Sequence, residues 1–394
     1  MLFYVKDKFT KDFSTLTKFS YVSEKWLLQG DYKRSTLKNL TNKKVPFIYP
    51  LFIGSNRIFL DRIPTPPKST IEIIKSQKAK IVFLYLGEGN VHTSKQISLL
   101  EDFSIECGLT KNEVTFVHGN MLLEHIESPF IKFKYFNLFE ASLWQFANVD
   151  KNTPESVKNH IKLFNVQKFT EKNYHFNCFN RVPRDPRVFL VSLLKSNALV
   201  NSKSLVSIGN EKFKQHTYNK ESLPFNNTVI NQQDDFNNIN QYLETEFDTL
   251  KLKGLTVDYK DLGNINTHEV NYSIYKDCFI DIISETVYKP KCMFFTEKTF
   301  RSISIKQPFF LLGGKDSLKH LKSLGYKTFD KWWDESYDNF DDIYDRTYQA
   351  FLIIKKISKL DKKLLSLMIS EMQEVLEHNF NHYFYNNRHK TLLW

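Results

Sequence analysis

CFIDIISETVYKPKCMFFTEKTFRSISIKQPFFLLGG, residues 278–314, carries a strand, a loop, a helix and a second strand in that order. CFIDII (278–283) reads as a buried strand, and Thr296 stands where an N-cap belongs, ahead of a helix predicted over 297–306. A strand over 308–312 then runs into Gly313-Gly314. A strand, a crossover helix and a strand predict a parallel pair, because parallel strands need such a connection. The same logic extends outward. YHFNCF (174–179), the loop after it, the helix RVFLVSLLKS and SLVSIG ending at Gly209 make another such unit upstream. Downstream, DSLKHLKSLG predicts a helix with Leu318 and Leu321 on one face and Gly325 as its C-terminal stop. Residues 226–241, rich in Asn, Gln and Asp, read as an exposed insertion or loop, and 343 to about 380 as a long amphipathic helical region.

The first half repeats the pattern. AKIVFLYL (79–86) is a continuous apolar run ending at Gly87-Glu88-Gly89-Asn90, as a strand buried on both faces would be. A helix around 95–107, a strand at 114–118 and an apolar segment at 130–139 follow. The first 60 residues are less regular, and Pro64, Pro66 and Pro67 mark a loop. With 394 residues, two α/β domains in series are expected, 1–168 and 169–342, with a helical region at 343–394 packing back on them.

Composition excludes several classes. No apolar run is long enough to span a membrane, and MLFYVKDKFTKDF puts charges inside its apolar stretch, unlike a signal peptide. Cys107, Cys178, Cys278 and Cys292 show no paired spacing, which speaks against a zinc site and a disulfide framework and for a reducing, cytoplasmic compartment. The formal net charge of +11 suits an anionic partner such as duplex DNA, although a Lys- and Asn-rich coding bias would also produce it.

In an open α/β sheet ligands bind at the carboxyl ends of the strands. There the sequence puts Glu285 and Thr286 after one strand and Thr296, Glu297 and Lys298 at the next helix start. Carboxylates can accept sugar hydroxyls, a lysine adds to the positive end of a helix dipole, and Gly313-Gly314 would let a ligand approach the backbone. The plainer reading is a capped surface helix with an incidental charge pair. The loop FNRVPRDPR (179–187) follows the first strand of the same domain, and its arginines match phosphate oxygens, with Arg181 favoured over Arg184 and Arg187. A solvated basic loop is the alternative.

Glu285-Thr286, then Thr296-Glu297-Lys298, then Gln307-Pro308-Phe309-Phe310-Leu311-Leu312-Gly313 resembles the donor-binding segment of α1,3-fucosyltransferases, and also glycosyltransferase-like proteins of large phages. That family carries Glu-Asn-Ser, Thr-Glu-Lys and a Val-Pro-Val strand ending in glycine. Thr286 here stands where the family has Asn. The resemblance implies a GT-B glycosyltransferase, two Rossmann-like domains flanking a cleft, with a nucleotide-sugar donor held by the second domain. It implies no cofactor and no metal for the chemistry. The acceptor expected first is a hydroxymethylated base in DNA, with a surface glycan or lipid-linked saccharide as the alternative. A third reading is a non-catalytic nucleic-acid-binding protein. A catalytic base would come from the first domain: Glu88, set between glycines, or else His118, with Asn90 beside them.

Other features carry less. The acidic run 330–345 lacks the spacing of a calcium loop and reads as a solvated loop and helix start. Trp332 and Trp333 read as core or as a stacking platform. His378, His382 and His389 read as a helical face rather than a metal site.

Overall fold

A computed structural model describes residues 2–5, 32–52, 63, 65–85, 93–137, 139–140, 172–209, 223–256, 274–275, 277–288 and 290–385. The chain divides into two compact units, Met1–Gln145 with Lys291–Phe294 and Phe146–Pro290 with Phe295–Tyr385 as far as these residues run. Each is an α/β unit built on a parallel sheet, the fold class the sequence predicts.

The first unit has strands β1 (Leu2–Val5), β2 (Tyr32–Ser35), β3 (Phe47–Phe52), β4 (Lys80–Tyr85), β5 (Val114–His118) and β6 (Lys132–Tyr135), in spatial order β2-β1-β3-β4-β5-β6. Helices α1 (Leu37–Lys43), α2 (Lys68–Ser76) and α3 (Thr93–Cys107) connect them. β4 and β5 are each paired on both sides, and nearly every residue in them is buried. Phe83 meets Phe103 of α3 edge-to-face at 5.4 Å, and Ile71 and Ile74 of α2 join the same core. The region that looked irregular holds three of the six strands. β3 was masked by Pro50, which cannot donate to a ladder yet stands in register with Val82 inside the sheet.

The second unit has β7 (Tyr174–Asn180), β8 (Ser204–Ile208), β9 (Cys278–Ser284) and β10 (Phe309–Leu312), in order β10-β9-β7-β8. β8 lies on one side of β7 and the later strands on the other. The strand order therefore reverses between β7 and β9, the position at which open α/β sheets bind ligands at their carboxyl ends. α4 (Asp185–Ser196) is buried along almost its whole length, since α5 (Gln233–Thr245) and α9 (Ile343–Ile357) both pack on it. α6 (Phe247–Lys253), α7 (Glu297–Ser304), α8 (Ser317–Ser323), α10 (Lys362–Glu371) and α11 (Gln373–Tyr385) complete the unit, with α11 against α7.

Three expectations change. The polar stretch read as a loop is mostly helix α5: Asp235, Ile239 and Tyr242 recur at helical spacing and are buried, and tertiary packing overrides the weak propensity of its asparagines. The described part of the C-terminal helical region belongs to the second unit and is interrupted where Asp361 caps α10 through the Leu364 N–H at 2.8 Å. The acidic run is only partly solvated. Trp333 stacks on Phe310 at 4.9 Å, and Tyr337 and Asp338 are buried. His378 and His382 accept no metal role: their Nε2 atoms bond the carbonyls of Gly325 (2.9 Å) and Leu324 (2.7 Å) at the end of α8. His389 lies outside the described residues.

Candidate functional site

The site gathers at the carboxyl edge of the second sheet, around the reversal between β7 and β9. β9 ends in Ser284, and the next residue, Glu285, lies 2% exposed. Its carboxylate is fully engaged. Oε1 accepts from the Thr296 N–H (2.9 Å) and the Thr299 hydroxyl (2.6 Å). Oε2 accepts from the Thr296 hydroxyl (2.5 Å) and the Thr286 N–H (3.3 Å). A carboxylate offers about four lone-pair positions, so none remains for sugar hydroxyls. Glu285 thus ties the end of β9 to the start of α7.

A second tie sits one turn deeper. Asp281 of β9 accepts from Asn177 and Ser302, each at 2.5 Å, and the Arg301 guanidinium stands 4.0 Å away. Burial is the largest influence on Asp281 and raises its pKa, with Arg301, Ser302 and Asn177 pulling the other way. Arg301 also covers the Tyr275 ring at 4.6 Å. α7 is therefore anchored twice, and its first turn is held in a defined place.

That first turn presents Lys298. Its ammonium reaches the Thr296 hydroxyl (3.0 Å), Glu297 (3.3 Å) and the Thr286 hydroxyl (3.4 Å), with its side chain 17% exposed. Glu297 is 30% exposed; burial resists its ionisation, but Lys298, Arg301 and its own N–H outweigh that and hold its pKa below the usual value. From the other side of the reversal Arg184 donates to the Thr286 carbonyl at 2.7 Å. Thr286 is thus the meeting point of both loops, a role its sequence position does not advertise.

The three arginines divide. Arg187 is buried and bonds the carbonyls of Val182, Ser284 and Glu285, which makes it the brace between the loops. Arg184 is half-buried beside Tyr288, whose phenol is pushed up by burial and by Asp185. Arg181 is exposed. Gly209 explains how its loop is held: a Cβ there would lie 2.2 Å from the Arg181 carbonyl. Gly313 and Gly314 are both buried, and a Cβ on Gly313 would meet the Ser317 hydroxyl at 2.6 Å. Gly313 thus admits Ser317 at the start of α8, and the space on its Cβ side is not open to a ligand.

In the first unit His118 ends β5, fully buried and stacked on Tyr85 at 4.7 Å. Burial lowers its pKa to about 3, so the ring is neutral. Nδ1 accepts the Asn120 N–H at 2.8 Å, which leaves the proton on Nε2, where no acceptor among the described residues reaches it. In this tautomer His118 is a donor and not a base. Glu88 and Asn90 lie outside the described residues. Among the described residues no group of His, Cys, Asp and Glu could hold a metal ion, and no helix is long and apolar enough to cross a membrane.

No family model matches this chain, and no curated protein matches it. Solved structures similar to it include a glycosyltransferase from Rickettsia africae ESF-5, at 12% identity and a TM-score of 0.39 over 100% of this chain and 98% of that one. An α,α-trehalose 6-phosphate synthase from Burkholderia multivorans matches at 8% identity and 0.40, over 90% and 72%. The N-terminal domain of a Candida albicans trehalose-6-phosphate phosphatase matches at 10% and 0.37, over 96% and 76%. Likenesses this loose say nothing about what this chain binds or catalyses.

Proposed function

We propose that the protein is a nucleotide-sugar-dependent glycosyltransferase of the GT-B kind, with the donor diphosphate held at the carboxyl edge of the second sheet. One observation carries the reading: Arg184 and Lys298, 114 positions apart in sequence (298 − 184), meet on Thr286 where the strand order reverses. Cations fixed there suit a diphosphate, which gains negative charge as the sugar departs. Arg181 adds an exposed guanidinium in the loop that leads into α4. Thr296, Glu285 and Gly313 act behind this set by holding α7 and α8 in place. Glu297 is the carboxylate left to meet the sugar or ribose. Glu88 is the proposed base on the acceptor, since the His118 tautomer leaves that role unfilled.

The acceptor follows from an experiment with several arms. The full chain is given a panel of nucleotide sugars in a thermal-shift screen, since a ligand that binds only the native state raises its stability with occupancy. The stabilising donor is then offered with hydroxymethylated duplex DNA, plain DNA and lipid-linked or soluble saccharides, with products read by mass spectrometry. Sugar on the modified base or on a saccharide assigns the acceptor. A chain that no nucleotide or nucleotide sugar stabilises is not such an enzyme.

A further inference from the structure

α10 is apolar on two faces. Leu365 and Ile369 are buried against the unit, as one amphipathic face requires. Leu364 and Leu367, nearly one turn apart, are nevertheless 42% and 55% exposed. One turn beyond Leu367, Glu371 accepts the indole N–H of partly exposed Trp332 at 2.9 Å, which extends the ridge with an amphipathic ring. The flanking charge is mostly positive. Lys356 and Lys359 lie at the end of α9 and the turn after it, and Lys362 and Lys363 open α10; all four are exposed. None is in an ion pair among the described residues, whereas Lys195, Lys315, Lys322 and Lys327 in the same unit each hold an acid at 3.0 Å or less. The acids nearby serve the protein itself. Asp361 caps α10, Asp334 accepts from Ser336, and Glu371 holds Trp332.

We propose that this ridge docks the protein peripherally on an anionic lipid surface, with Leu364, Leu367 and Trp332 entering the interface and the four lysines meeting the headgroups. Leucine and tryptophan beside unpaired lysines is the pattern that anionic membranes bind, because apolar burial and charge attraction add. A second copy of the chain fits poorly, since a symmetric contact would set the lysines against each other. Nucleic acid would use the lysines and leave the leucines in water. The proposal stands apart from sugar transfer, and its test contains no donor.

The full chain is mixed with vesicles of phosphatidylcholine, with or without one quarter phosphatidylglycerol, and binding is read by co-sedimentation. Binding to the anionic vesicles and its loss in high salt are expected. Each lysine changed to alanine should weaken partitioning about fivefold, and Leu364→Ser with Leu367→Ser should weaken it at least about tenfold. These side chains are exposed, so an unchanged melting temperature shows that the variants fold. Wild-type Trp332 should be quenched by brominated lipid, with Trp332→Phe as the control. Equal binding to neutral vesicles, or leucine variants that bind as well as wild type, would overturn the proposal. So would a concentration-dependent dimer that Leu364→Ser dissolves, or duplex DNA that binds through the lysines while vesicles do not.

Discussion

Replacing Glu285 by alanine tests whether its carboxylate serves the fold or the ligand. The change orphans two fully buried hydroxyls, Thr296 and Thr299, and the N–H that opens α7. A buried donor without a partner costs about 1–3 kcal/mol. The Thr299 hydroxyl can turn back to a helix carbonyl, and water can reach the first turn, so a net loss of about 3–5 kcal/mol is expected rather than the full sum. That exceeds the roughly 1 kcal/mol of an ordinary substitution. Glu285→Gln keeps one oxygen for the Thr296 N–H and should cost about half as much. Paired with Thr299→Val it should show a coupling of about 1–2 kcal/mol. Two compact units do not guarantee two-state unfolding, so the assay is native-state hydrogen exchange at the α7 amides alongside guanidinium unfolding. Lys298→Ala is the contrast, because it removes a partly exposed charge and should leave exchange unchanged. If Glu285→Ala costs less than about 1 kcal/mol while abolishing donor affinity, the carboxylate belongs to the ligand and the anchoring argument fails.

Lys298→Ala and Arg181→Ala should each weaken binding of a nucleoside diphosphate by about 1.5–3 kcal/mol in calorimetry with the fold intact; unchanged affinity in both would remove the site from this edge. Gly209→Ala should lower the same affinity without altering any charge, because its methyl displaces the Arg181 carbonyl. Glu88→Gln should bind donor normally and lose transfer by about a hundred- to ten-thousandfold, and near-normal turnover would place the base elsewhere. Asp338 has its pKa pushed up to about 7, chiefly by burial, from an unfolded value of 3.8. The folded state therefore holds a proton that the unfolded state releases, so the contribution of Asp338 to stability is full below about pH 4 and is lost as pH rises to about 7. Asp338→Asn should flatten that decline in unfolding curves taken across the range, and an unaltered pH dependence would contradict the assignment.

The two parallel α/β units were legible because buried parallel strands are continuous apolar runs, and AKIVFLYL and CFIDII are such runs whatever surrounds them. The helix start at Thr296 was legible too, since an N-cap is a local bond, here to the Lys298 N–H. Strand order was not legible. It depends on pairings such as Asn177 with Asp281, 104 residues apart, and that order sets β7 beside β9 and brings Arg184 to Thr286. The work of each polar residue was equally hidden. Glu285 and Glu297 look alike on the page, but one is sealed among three hydroxyl and amide partners from α7 and the other stays partly in water. Gly313 looked like room for a ligand and proved to be room for Ser317. A residue type states what bonds it can make; only packing, which decides the neighbours and excludes water, states which of them it has already made.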